Sequence, residues 1–573
     1  MEYSTAIKRQ KRDFLPENFV LTDWNNLEPY FKNLLERKTD SLAELENWLK
    51  DMSELEAVIS EDGCWRQIRM TCDTENKELE NAFIFFVMEI QPKIQPYANQ
   101  LNQKLIKNPL TRQLDEKKYF TYLRSVRKSI ELFREKNIPI QAELNVLGQQ
   151  FGALSGKMTI EVNGQEYTLP QASKFLENHD RKLREEVYRK IQKRRLQDKD
   201  ALNELYSTLI EKRQQVAQHA GFENYRDYKF AELGRFDYTK EDCFQFHESV
   251  KQHIRPLVDL INENKRKKLG LNELRPWDTD AEAEGTEPLH PFNTGTELLE
   301  KTVNCFTNLR PFFGDCLRTM KAMNRLDLES RKGKAPGGYN CPLAETGAPF
   351  IFMNAAGQMS DVTTMVHEGG HAVQSFLTHP LELSAFKEYP MEIAEVASMA
   401  MELFSMDHWD VFFDNEKDLK RAKEQQMERV ISIFPWIATI DKFQHWVYEN
   451  PRHTIEDRTK KWMETLEEFS SPVIDWSGLE EFRKYSWQKQ LHLFEVPFYY
   501  IEYGIAQLGA IGLWMQYKQN KETALDNYTA ALSLGATRTL PELYQAAGLQ
   551  FNFSGDYIKK LMVFLRSEME KLI

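Results

Sequence analysis

Cysteine is scarce: Cys64, Cys72, Cys243, Cys305, Cys316 and Cys341 are the only six in 573 residues, and no two form a Cys-x-x-Cys pair. That scatter excludes a disulfide framework and points to a reducing, cytoplasmic location. Long apolar runs are missing too. The longest, residues 82–88, is far too short to span a bilayer, and the start Met1-Glu2-Tyr3-Ser4-Thr5 leads into charged residues rather than an apolar signal core. Nor is there a basic excess: 75 Lys and Arg face 87 Asp and Glu, a net charge of −12, which argues against a nucleic-acid partner. Only 25 glycines occur, in a chain that is 41% hydrophobic and 28% charged, the composition of an ordinary globular protein with a large core and two or more structural units.

Helical patterning dominates what is present. Residues 41–135 carry long mixed charged and apolar stretches with few prolines or glycines, which predict several amphipathic helices. Near residue 159 the pattern changes. Thr159-Ile160-Glu161-Val162, Asn163-Gly164 and Gln165-Glu166-Tyr167-Thr168 predict a hairpin, because Asn-Gly accepts the positive φ of a tight turn. Thr168, three residues before Gln171, predicts a capped helix start, and helical patterns continue to about residue 269. Residues 276–291 read as a loop, and Phe350-Ile351-Phe352-Met353-Asn354 as a strand. From Ser360 onward the pattern is again helical. The expected class is mostly α, with a small β element just before the segment that carries the chemistry.

That segment is His367-Glu368-Gly369-Gly370-His371. Histidines four apart project from one face of a helix, so both imidazoles can reach one metal ion, and the glutamate between them lies where it can take a proton from a bound water. A catalytic zinc needs a third protein ligand. Gln374 and Leu377 stand where a metzincin would need glycine and histidine, so the ligand must come from elsewhere. The run Met391 to Leu403 follows Pro390 and predicts a second helix with Glu392, Glu395 and Glu402 as candidates. Glu395 is flanked by Ala394 and Ala397, which permit close approach, while Glu392 reads more as a surface residue. Two successive mid-helix glycines cost about 1 kcal/mol each relative to alanine, so they imply that a backbone or a substrate passes close by.

The motif, together with Glu395 in Ala394-Glu395-Val396-Ala397-Ser398, resembles the oligoendopeptidase F branch of the thimet oligopeptidase family of zinc metallopeptidases, and within it the bacterial Pz-peptidases. Further resemblances lie in the hairpin-helix from Asn163 to Arg184, in Leu271 to Asp278 and in Tyr499-Tyr500-Ile501-Glu502-Tyr503. The resemblance implies a large helical, ellipsoidal molecule with a deep substrate channel, one Zn²⁺ per chain held by His367, His371 and Glu395, and Glu368 as general base. It also implies a division into an N-terminal helical region (1–155), a helical region with a hairpin forming part of the channel wall (156–330) and a catalytic region (331–573). His492 and a tyrosine among Tyr499, Tyr500 and Tyr503 would bind substrate and stabilise the oxyanion. Spacing alone makes Tyr499 and Tyr503 neighbours on one helix face, which equally fits an aromatic core stripe.

The activity implied is hydrolysis of internal bonds in short oligopeptides by a zinc-bound water that Glu368 deprotonates. A zinc carboxypeptidase of similar helical type and a non-catalytic zinc-containing peptide binder are the other readings. The strand at residues 350–354 is expected either at a sheet edge, pairing with an extended peptide, or as a brace for the motif helix. His379, His408 and His445 read as structural or surface residues.

Overall fold

Local signals start most of the helices. In Leu42–Cys72 the Ser41 hydroxyl accepts from the Glu44 amide at 3.3 Å and Glu44 accepts in return from the Ser41 amide at 2.9 Å. Each residue thereby satisfies an amide that the first helical turn leaves without a partner. The same reciprocal pair joins Thr168 and Gln171 at the start of Leu169–Ser173. The chain is mostly α-helical with five short strands among the described residues, as its patterning predicts. The computed structural model describes residues 11–283, 286–331, 333–335 and 337–572. The Met1 to Thr5 start, and Glu284 and Gly285 of the expected loop, lie outside the described residues.

The chain divides into two compact units, each assembled from three separate segments. Long-range helix packing, rather than order along the chain, defines them. The first unit comprises Met1–Ile138, His290–Lys423 and Ile505–Phe551. One of its cores is a cluster of N-terminal helical side chains around Leu27, Phe31, Leu34 and Trp48, with the Trp48 indole donating to the Leu34 carbonyl at 2.9 Å. A second cluster packs Ile68 with Phe350 and Phe352. The second unit comprises Pro139–Leu289, Glu424–Gly504 and Asn552–Ile573. It contains the hairpin of β1 (Thr159–Val162) and β2 (Gln165–Thr168), closed by Asn163 at φ 52° and Gly164 at φ 80°. Its expected loop opens with one tight turn, Pro276–Asp278. The turn is held because the fully buried Asp278 carboxylate accepts from Arg181 and Arg184, each at 2.8 Å, and from the Arg275 amide at 3.0 Å.

The first unit's sheet has β3 (Leu326–Glu329), β4 (Tyr339–Cys341) and β5 (Phe350–Ala355) in the order β3-β5-β4. β5 runs parallel to β3 and antiparallel to β4, with Tyr339 opposite Phe352. This corrects the expectation of an edge strand. β5 is the central strand, paired with β3 on one side and, over Phe350 to Phe352, with β4 on the other. Its near-continuous apolar run fits a strand covered on both faces, and it packs against the helix that carries the histidines.

Candidate metal centre

Gly357, at φ 94°, turns the chain from β5 into the motif helix Met359–Thr378. Asp361 secures that start by accepting from the Ala356 and Gln358 amides at 2.8 and 2.9 Å. An acidic residue in the first turn also complements the helix dipole. The glutamate helix Met391–Ser405 packs against the motif helix. Gly370 makes this possible: a Cβ there would sit 2.6 Å from the Ala397 carbonyl oxygen and 2.7 Å from the Ser398 Cα, both backbone atoms that cannot yield. At Gly369 a Cβ would meet the Phe306 ring at 2.7 Å. The double glycine therefore serves packing on both counts, a backbone at one position and an aromatic ring at the other.

This approach gathers His367, His371 and Glu395, whose ligand atoms all lie within 4.8 Å of one another. The imidazoles stand with centroids 5.0 Å apart and nearly perpendicular. The Nε2 atoms of His367 and His371 are 3.4 and 3.7 Å from Glu395 Oε2. Glu395 is buried, and the Ser398 hydroxyl donates to the same oxygen at 3.0 Å. Glu392, expected at the surface, is also buried, because the glutamate helix is enclosed along its whole length.

Glu402 completes the arrangement. Its Oε1 lies 2.7 Å from His367 Nδ1. A carboxylate only accepts, so a proton stays on Nδ1 and Nε2 can turn its lone pair toward the cluster. Sequence reasoning weighed Glu402 only as a ligand. The signal for its actual place is its spacing of seven from Glu395, two turns along the same helix face.

The electrostatics favour a cation. Burial lowers the proton affinity of His367, but Glu395 and Glu402 outweigh it and hold the group well above the usual imidazole range. The same negative potential that retains a proton attracts a divalent ion in its place. Burial pushes His371 down to about 4, leaving it neutral near pH 7 with a lone pair to offer. Two imidazole nitrogens and one carboxylate are the donor set of a catalytic zinc site, so the residues fit that metal.

Glu368 lies on the motif helix between the histidines, 6% exposed, and its Oε2 has no hydrogen-bond partner. Burial pushes its carboxyl up to about 7; His367 opposes this, while Glu395 and Glu402 add to it. Asn340 of β4 donates to the Glu368 carbonyl at 3.2 Å and ties that part of the helix to the sheet.

His492 and the three tyrosines are gathered in the second unit, among residues 424–504. The His492 ring lies 5.8, 4.9 and 5.7 Å from those of Tyr499, Tyr500 and Tyr503. Gln490 uses its oxygen to accept from the Trp436 indole at 2.8 Å, so its amide group donates to His492 Nδ1 at 2.7 Å and the ring proton falls on Nε2, 3.4 Å from the Tyr503 hydroxyl. Burial pushes Tyr500 up to about 12. The tyrosines enter the helix Tyr500–Gln519 through Phe498, a non-glycine residue at φ 67°. That conformation costs about 1–3 kcal/mol and persists where surroundings over-determine it. Here the Phe498 amide donates to Gln444 at 2.8 Å and its carbonyl accepts from Arg235, which also pairs with Glu502 at 2.9 Å.

Fold and site together define a predominantly helical protein with a two-histidine, one-carboxylate cluster on packed helices. Comparison with known proteins gives the family: the profile of peptidase family M3 matches residues 174–563 and that of the peptidase M3 N-terminal domain matches residues 14–133, so the chain belongs to peptidase family M3. It is 22% identical over 525 residues to an oligoendopeptidase F homolog of Borreliella burgdorferi, covering 86% of this chain and 84% of that protein. It is also 22% identical over 382 residues to oligopeptidase PepF of Bacillus subtilis, covering 65% of this chain and 55% of that one. The solved structure of Pz peptidase A with an inhibitor superposes with a TM-score of 0.91 at 26% identity, over 97% of this chain and 99% of that one. No helix among the described residues is long and apolar enough to cross a membrane.

Proposed function

We propose that this peptidase is a zinc-dependent endopeptidase that cleaves internal bonds of short oligopeptides in the cytoplasm, with His367, His371 and Glu395 holding the metal and Glu368 as general base. The observation that carries the reading is the unpartnered Oε2 of buried Glu368 on the helix that supplies both imidazoles. When bound, the metal supplies a Lewis acid that polarises a peptide carbonyl and makes water more acidic. Glu368 accepts a proton from the attacking water and returns it to the departing amine; a carboxyl raised toward neutrality suits both transfers. Glu402 orients His367 through Nδ1, and Ser398 steadies Glu395. His492 and the tyrosines, Tyr503 foremost, bind substrate and donate to the developing oxyanion. The names of the relatives, oligoendopeptidase and oligopeptidase, support the substrate class. All six cysteines stand without disulfides, as in a reducing compartment.

The test is a mass-spectrometric digest of a peptide ladder with and without chelator, alongside one folded and one unfolded protein. Internal cleavage of short peptides, abolished by chelator and restored by Zn²⁺, is expected. Release of single C-terminal residues would replace the endopeptidase with a carboxypeptidase, and binding without cleavage would leave a peptide-binding protein. An unfolded protein cleaved as readily as short peptides would sink the size restriction.

A further inference from the structure

The second unit contains another group of metal-type donors, and all of it is buried. Cys243 and His247 sit four apart on the helix Lys240–Ser249, and Asp441 and His445 four apart on the helix Glu416–Glu449. Residues at that spacing share a helix face, so each helix offers two donors side by side. Ligand atoms of Cys243, Asp441 and His445 all lie within 4.8 Å of one another. His247 Nε2 is 2.8 Å from Asp441 Oδ2, and His445 Nε2 is 3.3 Å from the same oxygen. None of the four side chains reaches the surface: exposures are 2, 2, 0 and 2% for Cys243, His247, Asp441 and His445.

Hydrogen bonds within the group do not account for its atoms. His247 Nδ1, both ring nitrogens of His445 and Asp441 Oδ1 are buried with no hydrogen-bond partner. Buried polar atoms without partners are costly and few in native proteins, and four in one small cluster need an explanation. His445 Nε2 is close to the Asp441 carboxylate but outside hydrogen-bond geometry. The walls are aromatic: the rings of Phe230, Phe244 and Phe498 lie 5.7, 4.9 and 5.4 Å from that of His445. A carboxylate buried in such an apolar shell favours a strong local counter-charge.

We propose that Cys243, Asp441 and His445 hold a divalent transition metal of the zinc type at a structural site, with His247 fixing the Asp441 carboxylate through its hydrogen bond. One thiolate, one carboxylate and one neutral imidazole cancel a double positive charge, which is what burial demands. Mixed sulfur, nitrogen and oxygen donors suit zinc over magnesium or calcium, and ligands drawn from two helices in an enclosed site brace those helices. Binding would form the metal–sulfur bond by loss of the thiol proton to solvent, with no change of oxidation state. Nothing in the proposal depends on the peptidase reading.

The probe is Co²⁺, introduced by producing the full chain in cobalt-supplemented medium, with absorption spectroscopy and metal analysis on the purified protein. A sulfur-to-cobalt charge-transfer band is expected, together with one more metal equivalent per chain than Cys243→Ser retains, and the band is lost in that variant. His367, His371 and Glu395 contain no sulfur, so the band is blind to the other cluster. Wild-type protein without the band overturns the proposal, and so does a band that survives in Cys243→Ser. If that variant does not fold, X-ray absorption of the wild-type cobalt protein decides: a cobalt–sulfur shell supports the site and its absence removes it.

Discussion

The two donor clusters are built by one local rule and differ in their relation to solvent. Each draws on residues four apart on a helix, packed against donors of a second helix. In the first, the imidazole side chains of His367 and His371 remain 21 and 14% exposed, and Glu368 stands among them with an oxygen unengaged. In the second, every donor is enclosed. The contrast teaches that cation affinity and catalysis are separate properties. Converging donors and uncompensated negative charge provide the first; an open approach and a poised base are needed for the second.

The sharpest way to break this contrast is Glu368→Gln. It should retain metal and fold yet lower turnover by about 10²–10⁴-fold, the usual share of general acid–base catalysis. Near-normal peptide cleavage by that variant, followed by mass spectrometry, would remove the base from the mechanism. Next in size is Tyr503→Phe, expected to lower kcat by about 10²-fold, as loss of an oxyanion donor does. Unchanged kcat there, with a loss in Tyr499→Phe or Tyr500→Phe instead, would reassign the donor within the cluster.

Glu402→Gln probes the support of the first cluster. Metal affinity should fall by about 10–100-fold, read by competition with a chromogenic chelator, because the carboxylate that orients His367 is weakened. An unaltered affinity would reduce Glu402 to a bystander. The smallest expected effect separates the two glycines by chemical denaturation. Gly370→Ala forces a Cβ into backbone and should destabilise by about 1–3 kcal/mol. Gly369→Ala meets only the movable ring of Phe306, and the helix propensity it gains, about 1 kcal/mol, should offset much of the strain. Equal losses at both positions would contradict the division of labour between them.

Asn163-Gly164 and Thr168 with Gln171 illustrate what was legible in residues alone. Their turn and cap form from dihedral preferences and hydrogen bonds spanning three or four residues, and they stand where the sequence places them. The facing of His367 and His371 is equally local, a consequence of helical pitch. Other features were not readable. Residues 350–354 carry the mark of a buried strand, yet whether such a strand is central or at an edge depends on partners roughly ten to twenty-five residues away along the chain, and both β3 and β4 pair with it. Glu392, Glu395 and Glu402 share one apolar helix and could be ranked only by their neighbours; packing at Gly370 brings Glu395 to the histidines and Glu402 to the back of His367.

The sequence by itself thus determined the helical class, the hairpin and the paired histidines with their glutamate, because each is set by covalent geometry repeating over a few residues. Only the tertiary structure decided where Glu402 serves, what the double glycine accommodates and that Cys243 and His247 meet Asp441 and His445 from nearly two hundred residues away. Those meetings depend on which helix faces bury each other, and that is the summed outcome of many weak contacts no single stretch of chain contains.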